Sequence, residues 1–201
     1  MNLVPLLYVG FRIVPFILIS FFALSSILKS DVRGLIFLGM ILINCSVVLL
    51  LDSLFVALGI SVLDPGTPED YKAMCNALSI GDNGQRITNI PMNINIVAFT
   101  FMYLVQLISK NTQINTNLHS VIFFTILLCS LIAWEFINGC ASFPGICLAL
   151  IIGAVMGIVL CEMIDSISKK NKIQLHFFTN VTNDTEVCKM TNEDLFECTT
   201  Q

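Results

Sequence analysis

The chain has 201 residues, of which 56% are hydrophobic and 12% are charged, and its formal net charge is −4. A soluble domain carries roughly 25% charged residues, so this composition is typical of a membrane-embedded helical bundle. The small and dispersed negative charge argues against a nucleic-acid partner. The length suits one compact membrane domain with a short tail.

Five apolar segments, each long enough to cross a bilayer, follow one another along the chain. Pro15 predicts a kink in the first segment, and Pro91 and Pro144 open the third and fifth, where a missing N–H costs nothing. The second is longer than a ~30 Å hydrocarbon core requires, so it must tilt, bend or protrude. The segments cover residues 3–28, 34–63, 91–107, 119–137 and 144–164.

We therefore expect an all-α membrane protein, with a bundle of about five transmembrane helices at residues 1–165. An outer loop at residues 64–90 contains several turn-forming prolines and glycines. Residues 166–201 form a short polar tail. The lipid bilayer is the first expected partner, and capsid or other membrane proteins are further candidates for contact with the tail.

The basic residues near the segment ends predict the orientation of the bundle. Alternate ends hold Lys29, Arg33, Lys110, Lys169, Lys170 and Lys172, and the opposite ends hold Lys72 and Arg86. The positive-inside rule then places the amino terminus on the non-cytoplasmic side and the tail in the cytoplasm. The outer loop, the start of the third segment and the turn at residues 138–143 would share the outer face.

Two of the eight cysteines suggest a covalent link on that face. Cys75 lies in the outer loop and Cys140 in the turn before the fifth segment. Because a non-cytoplasmic compartment is oxidising, the two are candidates for a disulfide, with free thiols as the alternative. The cysteines inside apolar segments are interpreted as small buried or lipid-facing side chains: Cys45, Cys129, Cys147 and Cys161.

Charged residues within the apolar segments have two interpretations. Arg12 and Asp52 are predicted to lie at similar depth, and an isolated charge in a span is costly. A structural Arg12–Asp52 pair is the favoured interpretation. The alternative is an ion or proton path in a channel or transporter subunit, to which Asn44 and Glu135 would contribute.

Small residues recur every fourth position in the fifth segment, at Ala149, Gly153 and Gly157. This spacing places them on one helix face, where they allow close approach of a neighbouring helix. The sequence contains no pattern typical of a metal site, a phosphate-binding loop or a nucleophile–histidine pair. We therefore predict neither a metal ion nor a cofactor.

The order of features resembles the type 2 phosphatidic acid phosphatase superfamily, over roughly residues 31–164. These phosphatases have the motifs K-x6-R-P in a loop, P-S-G-H at a helix start and S-R-x5-H-x3-D before a glycine-containing helix. Here PMNI opens the third segment, and NGCASFPG leads into the fifth. The resemblance implies a degenerate core of this family with its site at the outer face.

The residues that carry the family's chemistry are replaced in this chain. Ile94 stands where the acid histidine would be, Gly145 replaces the nucleophilic histidine, and Ala149 replaces its orienting aspartate. A phosphatase needs histidine to attack phosphorus and to protonate the leaving oxygen. The degenerate motif positions are Lys72, Pro91, Asn93, Asn138, Gly139, Gly145 and Ala149.

The favoured interpretation is a non-enzymatic membrane protein with a structural or anchoring role. Its pattern also resembles membrane proteins of large DNA viruses, which implies a virion internal membrane and contact with the capsid. One alternative is a lipid-phosphate-binding protein or a residual lipid phosphatase. The other is the channel or transporter subunit built around Arg12 and Asp52.

Overall fold

Five helices and one small hairpin make up the described part of the chain. The computed structural model describes residues 3–29, 33–59, 88–110, 118–171, 187–190 and 196–199. The helices are α1 Leu3–Lys29, α2 Arg33–Ala57, α3 Met92–Lys110, α4 Leu118–Ile137 and α5 Phe143–Asn171. The strands β1 Val187–Met190 and β2 Phe196–Thr199 pair in an antiparallel hairpin.

Four of the described helices are long and apolar enough to cross a membrane. They are Arg33–Ala57, Met92–Lys110, Leu118–Ile137 and the Phe143–Ser168 part of α5. In α1 the described apolar stretch is Ile13–Leu28. The expectation of a helical bundle of about five helices is therefore confirmed, and in the described part of the chain four of these helices are candidate membrane spans.

The ends of α2, α3 and α5 differ from the predicted ones. Helix α2 ends at Ala57, six residues before the predicted end of the second segment. Gly59 follows with φ 68°, the left-handed conformation with which glycine closes a helix. At α3, Pro91 precedes the first helical residue, and its carbonyl accepts the N–H of Asn95. Helix α5 continues past the predicted boundary at residue 165 to Asn171.

The central element of the bundle is α3. Within its apolar window 61% of the residues are buried inside the protein, whereas the share in α4 is only 11%. Helices α3 and α5 form the most extensive helix pair. An ideal Cβ added at Gly153 would lie 2.6 Å from the carbonyl oxygen of Asn95, so the two backbones touch with no room for a side chain.

An aromatic cluster attaches the α1–α2 pair to α3. Phe22 of α1 meets Phe37 of α2, with ring centroids 4.4 Å apart. Phe37 in turn lies 6.0 Å from Phe99 and 5.1 Å from Tyr103, both on α3. These four side chains are at most 2% exposed, so they form a dry aromatic core between three helices.

At the opposite end of the α3–α5 pair from Pro91, a charged network joins the two helices. Lys110 Nζ lies 2.7 Å from a Glu162 carboxylate oxygen and 3.1 Å from Asp165 Oδ2. Gln106 also donates to Glu162 Oε1, at 2.7 Å. Because the Glu162 side chain is 49% exposed, water and salt screen much of this attraction.

We expect replacement of Lys110 with methionine to lower the free energy of unfolding by no more than about 1 kcal/mol. The loss should shrink further at high ionic strength, where the wild-type network is screened. Thermal unfolding in detergent at low and high salt measures both effects. A large loss that does not depend on salt would contradict the assignment of a screened surface network.

Candidate functional site

A buried asparagine pair links three helices inside the bundle. Asn44 on α2 donates its Nδ2 to Asn95 Oδ1 on α3, and Asn95 Nδ2 donates to the carbonyl oxygen of Ala149 on α5, at 3.0 Å. Both asparagines are 0% exposed. Each helix contributes a polar group whose partner is on another helix, so the network fixes the rotation of all three.

The direction of these hydrogen bonds follows from the acceptor on α5. A backbone carbonyl can only accept, so Asn95 must turn its NH₂ toward Ala149 and its oxygen toward Asn44. The amide of Asn44 then has to present its own NH₂. Its oxygen, Asn44 Oδ1, is buried and has no hydrogen-bond partner in the described part of the chain.

Two carboxylates bind residues at the start of α3, one through the backbone and one through a side chain. Asp52 Oδ1 on α2 accepts the N–H of Asn89 at 3.0 Å, and Asp52 is only 7% exposed. Glu135 Oε1 on α4 accepts Asn93 Nδ2 at 2.7 Å. Asp52 and Glu135 therefore fix the start of the central helix to α2 and α4.

The α4–α5 turn owes its shape to helix capping. The N–H of Cys140 bonds to the carbonyl of Glu135, and the N–H of Gly139 bonds to that of Phe136. With φ 60° at Gly139, this is the Schellman ending of a helix, in which glycine is favoured. Asn138 donates its side-chain N–H to the Trp134 carbonyl, so Asn138 and Gly139 shape this helix end.

Gly145, which the phosphatase resemblance places at the nucleophilic histidine, is closely packed. Ser142 Oγ accepts the N–H of Gly145 in the first turn of α5, as an N-cap does. A Cβ at Gly145 would lie 3.0 Å from Ser142 Oγ and 3.2 Å from the Asn89 carbonyl oxygen. Ile94 and Ala149, at the two other aligned positions, are 0% exposed.

Several predicted site residues lie outside what the structure describes. These are Lys72 and Cys75 of the outer loop and the side chain of Arg12, whose backbone belongs to α1. The Arg12–Asp52 pair and the Cys75–Cys140 bond therefore stay predictions. Cys140 itself is disulfide-bonded. In the described ranges no group of three or more His, Cys, Asp or Glu could hold a metal ion.

Sequence reasoning missed Asn95 and the charged network of Lys110, Glu162 and Asp165. A signal for Asn95 was present, because it is an amide inside an apolar segment, as Asn44 is. Its partner could not be predicted from the sequence, since the two asparagines are 51 positions apart.

A search of protein-family models, of curated proteins and of solved structures found no match to this chain.

Proposed function

We propose that the protein is a non-enzymatic membrane scaffold that anchors other components at a bilayer. The observation that carries this proposal is that the buried polar residues are hydrogen-bonded within the bundle. Asn44, Asp52, Asn95 and Thr100 are all buried, and each is hydrogen-bonded within the bundle. Three of the four join one helix to another or to the segment entering α3, which is a structural use of polar side chains.

The packing at the outer end supports a scaffold over a lipid-phosphate site. The protein backbone and Ser142 already surround Gly145, and Ile94 is fully buried. A phosphatase instead needs exposed groups that converge on one phosphorus atom. The Asp52–Asn89 hydrogen bond similarly supports a structural role for the Asp52 carboxylate over a role in conducting ions.

In this proposal the helical bundle holds the protein in the membrane, and the tail beyond α5 meets the anchored component. The resemblance to membrane proteins of large DNA viruses extends the proposal to a virion internal membrane with the capsid as partner. The bilayer then acts as the platform on which the capsid is attached.

Reconstitution into liposomes containing phosphatidic acid tests the non-enzymatic part. We expect no phosphate release above that of protein-free liposomes, because no described residue at the aligned positions can attack or protonate the phosphate. A type 2 phosphatidic acid phosphatase in matched liposomes is the positive control. Phosphate release that is lost in the Lys72→Ala variant would overturn the scaffold proposal in favour of a residual enzyme.

A truncated chain ending at Asn171 tests the anchoring part. Both the full and the truncated chain should remain in membranes after alkaline extraction, since α1–α5 are intact. Chemical cross-linking followed by mass spectrometry should identify peripheral proteins bound to the tail of the full chain only. Identical cross-linked partners for both chains would exclude the tail as the anchoring element.

A further inference from the structure

The turn between α4 and α5 contains a disulfide-bonded cysteine, Cys140, whose partner can be inferred by elimination. Cys140 is disulfide-bonded and 2% exposed. Four other cysteines are free thiols in the helices: Cys45, Cys129, Cys147 and Cys161. Of the eight cysteines in the chain, this leaves Cys75, Cys188 and Cys198 as candidates for the partner.

Helix α5 separates Cys140 from the two candidates in the tail. The helix has 29 residues and starts three positions after Cys140. At 1.5 Å per residue it is roughly 43 Å long, which exceeds the hydrocarbon thickness of a bilayer. Because its Phe143–Ser168 part is a candidate membrane span, Cys188 and Cys198 follow the opposite end of a transmembrane helix.

The remaining candidate, Cys75, precedes α3 in the chain, and the described residues that lead into α3 lie on the side of the bundle where Cys140 lies. The chain enters α3 through Thr88 and Asn89, directly beside the start of α5. A Cβ at Gly145 would be 3.2 Å from the Asn89 carbonyl oxygen and 3.7 Å from Pro91 Cδ. Asn89 is also held by Asp52, so the described entry to α3 is fixed next to the start of α5, three residues after Cys140.

We infer that Cys140 is bonded to Cys75, and that this end of the bundle faces an oxidising compartment. In forming the bond the two thiols lose two protons and two electrons. A protein disulfide of a thiol–disulfide oxidoreductase takes up both and becomes a dithiol. Such exchange runs forward outside the cytosol and is reversed within it. The inference is independent of the proposed scaffold role.

The same orientation places the tail hairpin on the reducing side. Cys188 and Cys198 are directly opposite each other in the register of β1 and β2. On the cytoplasmic side the glutathione pool keeps such a pair reduced. One chain would thus carry a disulfide at one end of the bundle and two thiols beyond the other.

Peptide mapping of the full-length protein without reductant tests the pairing. We expect one cross-linked peptide pair that contains Cys75 and Cys140 and disappears after reduction. In the Cys75→Ser variant, denatured without reductant, Cys140 should react with a maleimide polymer that does not modify it in the wild type. The matched Cys129→Ser variant should leave Cys140 protected. A Cys140 linked to Cys188 or Cys198, or left unchanged by Cys75→Ser, would overturn the pairing.

Sealed microsomes, whose cytoplasmic face is outward, test the orientation. A membrane-impermeant maleimide should label Cys188 and Cys198 without detergent, and the Cys188→Ser/Cys198→Ser double variant should lose that labelling. Tail cysteines that react only after detergent is added would place the tail in the lumen and overturn the orientation. A Cys188–Cys198 disulfide in protein alkylated before lysis would do the same.

Discussion

Replacing Gly153 with leucine should prevent α3 and α5 from packing and leave little folded protein. A Cβ at Gly153 would lie 2.6 Å from the Asn95 carbonyl oxygen and 3.0 Å from the Phe99 nitrogen. Both atoms are backbone, so no side chain can rotate away to make room. The helices would have to separate over the surface where they have their most extensive contact.

A graded series measures this effect without loss of the fold. Gly153→Ala and Gly157→Ala should each lower the free energy of unfolding by about 1–3 kcal/mol, the usual cost of overpacking. At Gly157 the added Cβ would be 2.7 Å from the Phe99 carbonyl oxygen. Heating with a fluorogenic thiol reagent measures the midpoint of thermal unfolding. Cys161 on α5 is 0% exposed in the folded state, so the rise in fluorescence on its exposure follows unfolding.

The matched control for this series is Gly39→Ala on α2. Nothing lies within 4 Å of a Cβ built at Gly39, so alanine meets no obstacle there. Alanine is favoured over glycine in a helix by up to about 1 kcal/mol, so the midpoint should stay or rise. If the alanine variants at Gly39 and Gly153 lost equal stability, the close α3–α5 contact could not be the cause of the loss at Gly153.

Replacing Asn95 with leucine should cost up to about 3 kcal/mol of stability, the second-largest effect expected of a single substitution. Asn44 has no hydrogen-bond partner for its oxygen in the described structure, and loss of Asn95 would also leave its NH₂ unpaired. Because Asn44 is 0% exposed, its unpaired amide groups cannot form hydrogen bonds with water instead. The Ala149 carbonyl would lose its side-chain donor as well.

A double-mutant cycle separates the hydrogen bond from the burial of the amides. The Asn44→Leu/Asn95→Leu variant should lose less stability than the sum of the two single variants, since the double variant leaves neither amide unpaired. Coupling energies for such pairs in membrane proteins are about 0.6 kcal/mol on average and reach ~1.7 kcal/mol. Strictly additive losses would indicate that Asn44 and Asn95 contribute independently.

The glycines show which structural roles a sequence pattern can predict and which it cannot. The spacing of Ala149, Gly153 and Gly157 predicts a small-residue face, and two of these positions do lie against the α3 backbone. The resemblance to the phosphatase family places Gly139 and Gly145 in a degenerate catalytic motif, and this assignment stays a prediction. In the structure Gly139 closes α4 in the left-handed conformation, and Gly145 lies against Asn89 and Pro91.

The sequence alone determined that the chain is a helical membrane protein and where most of its helices lie. Apolar length and the scarcity of charge are properties of each segment, and a bilayer favours helices for such segments whatever the other segments are. Only the tertiary structure decided that α3 is central and that Asn44 pairs with Asn95. In an apolar bundle every helix face has similar hydrophobicity, so partner choice depends on small residues and buried polar groups that must meet in space.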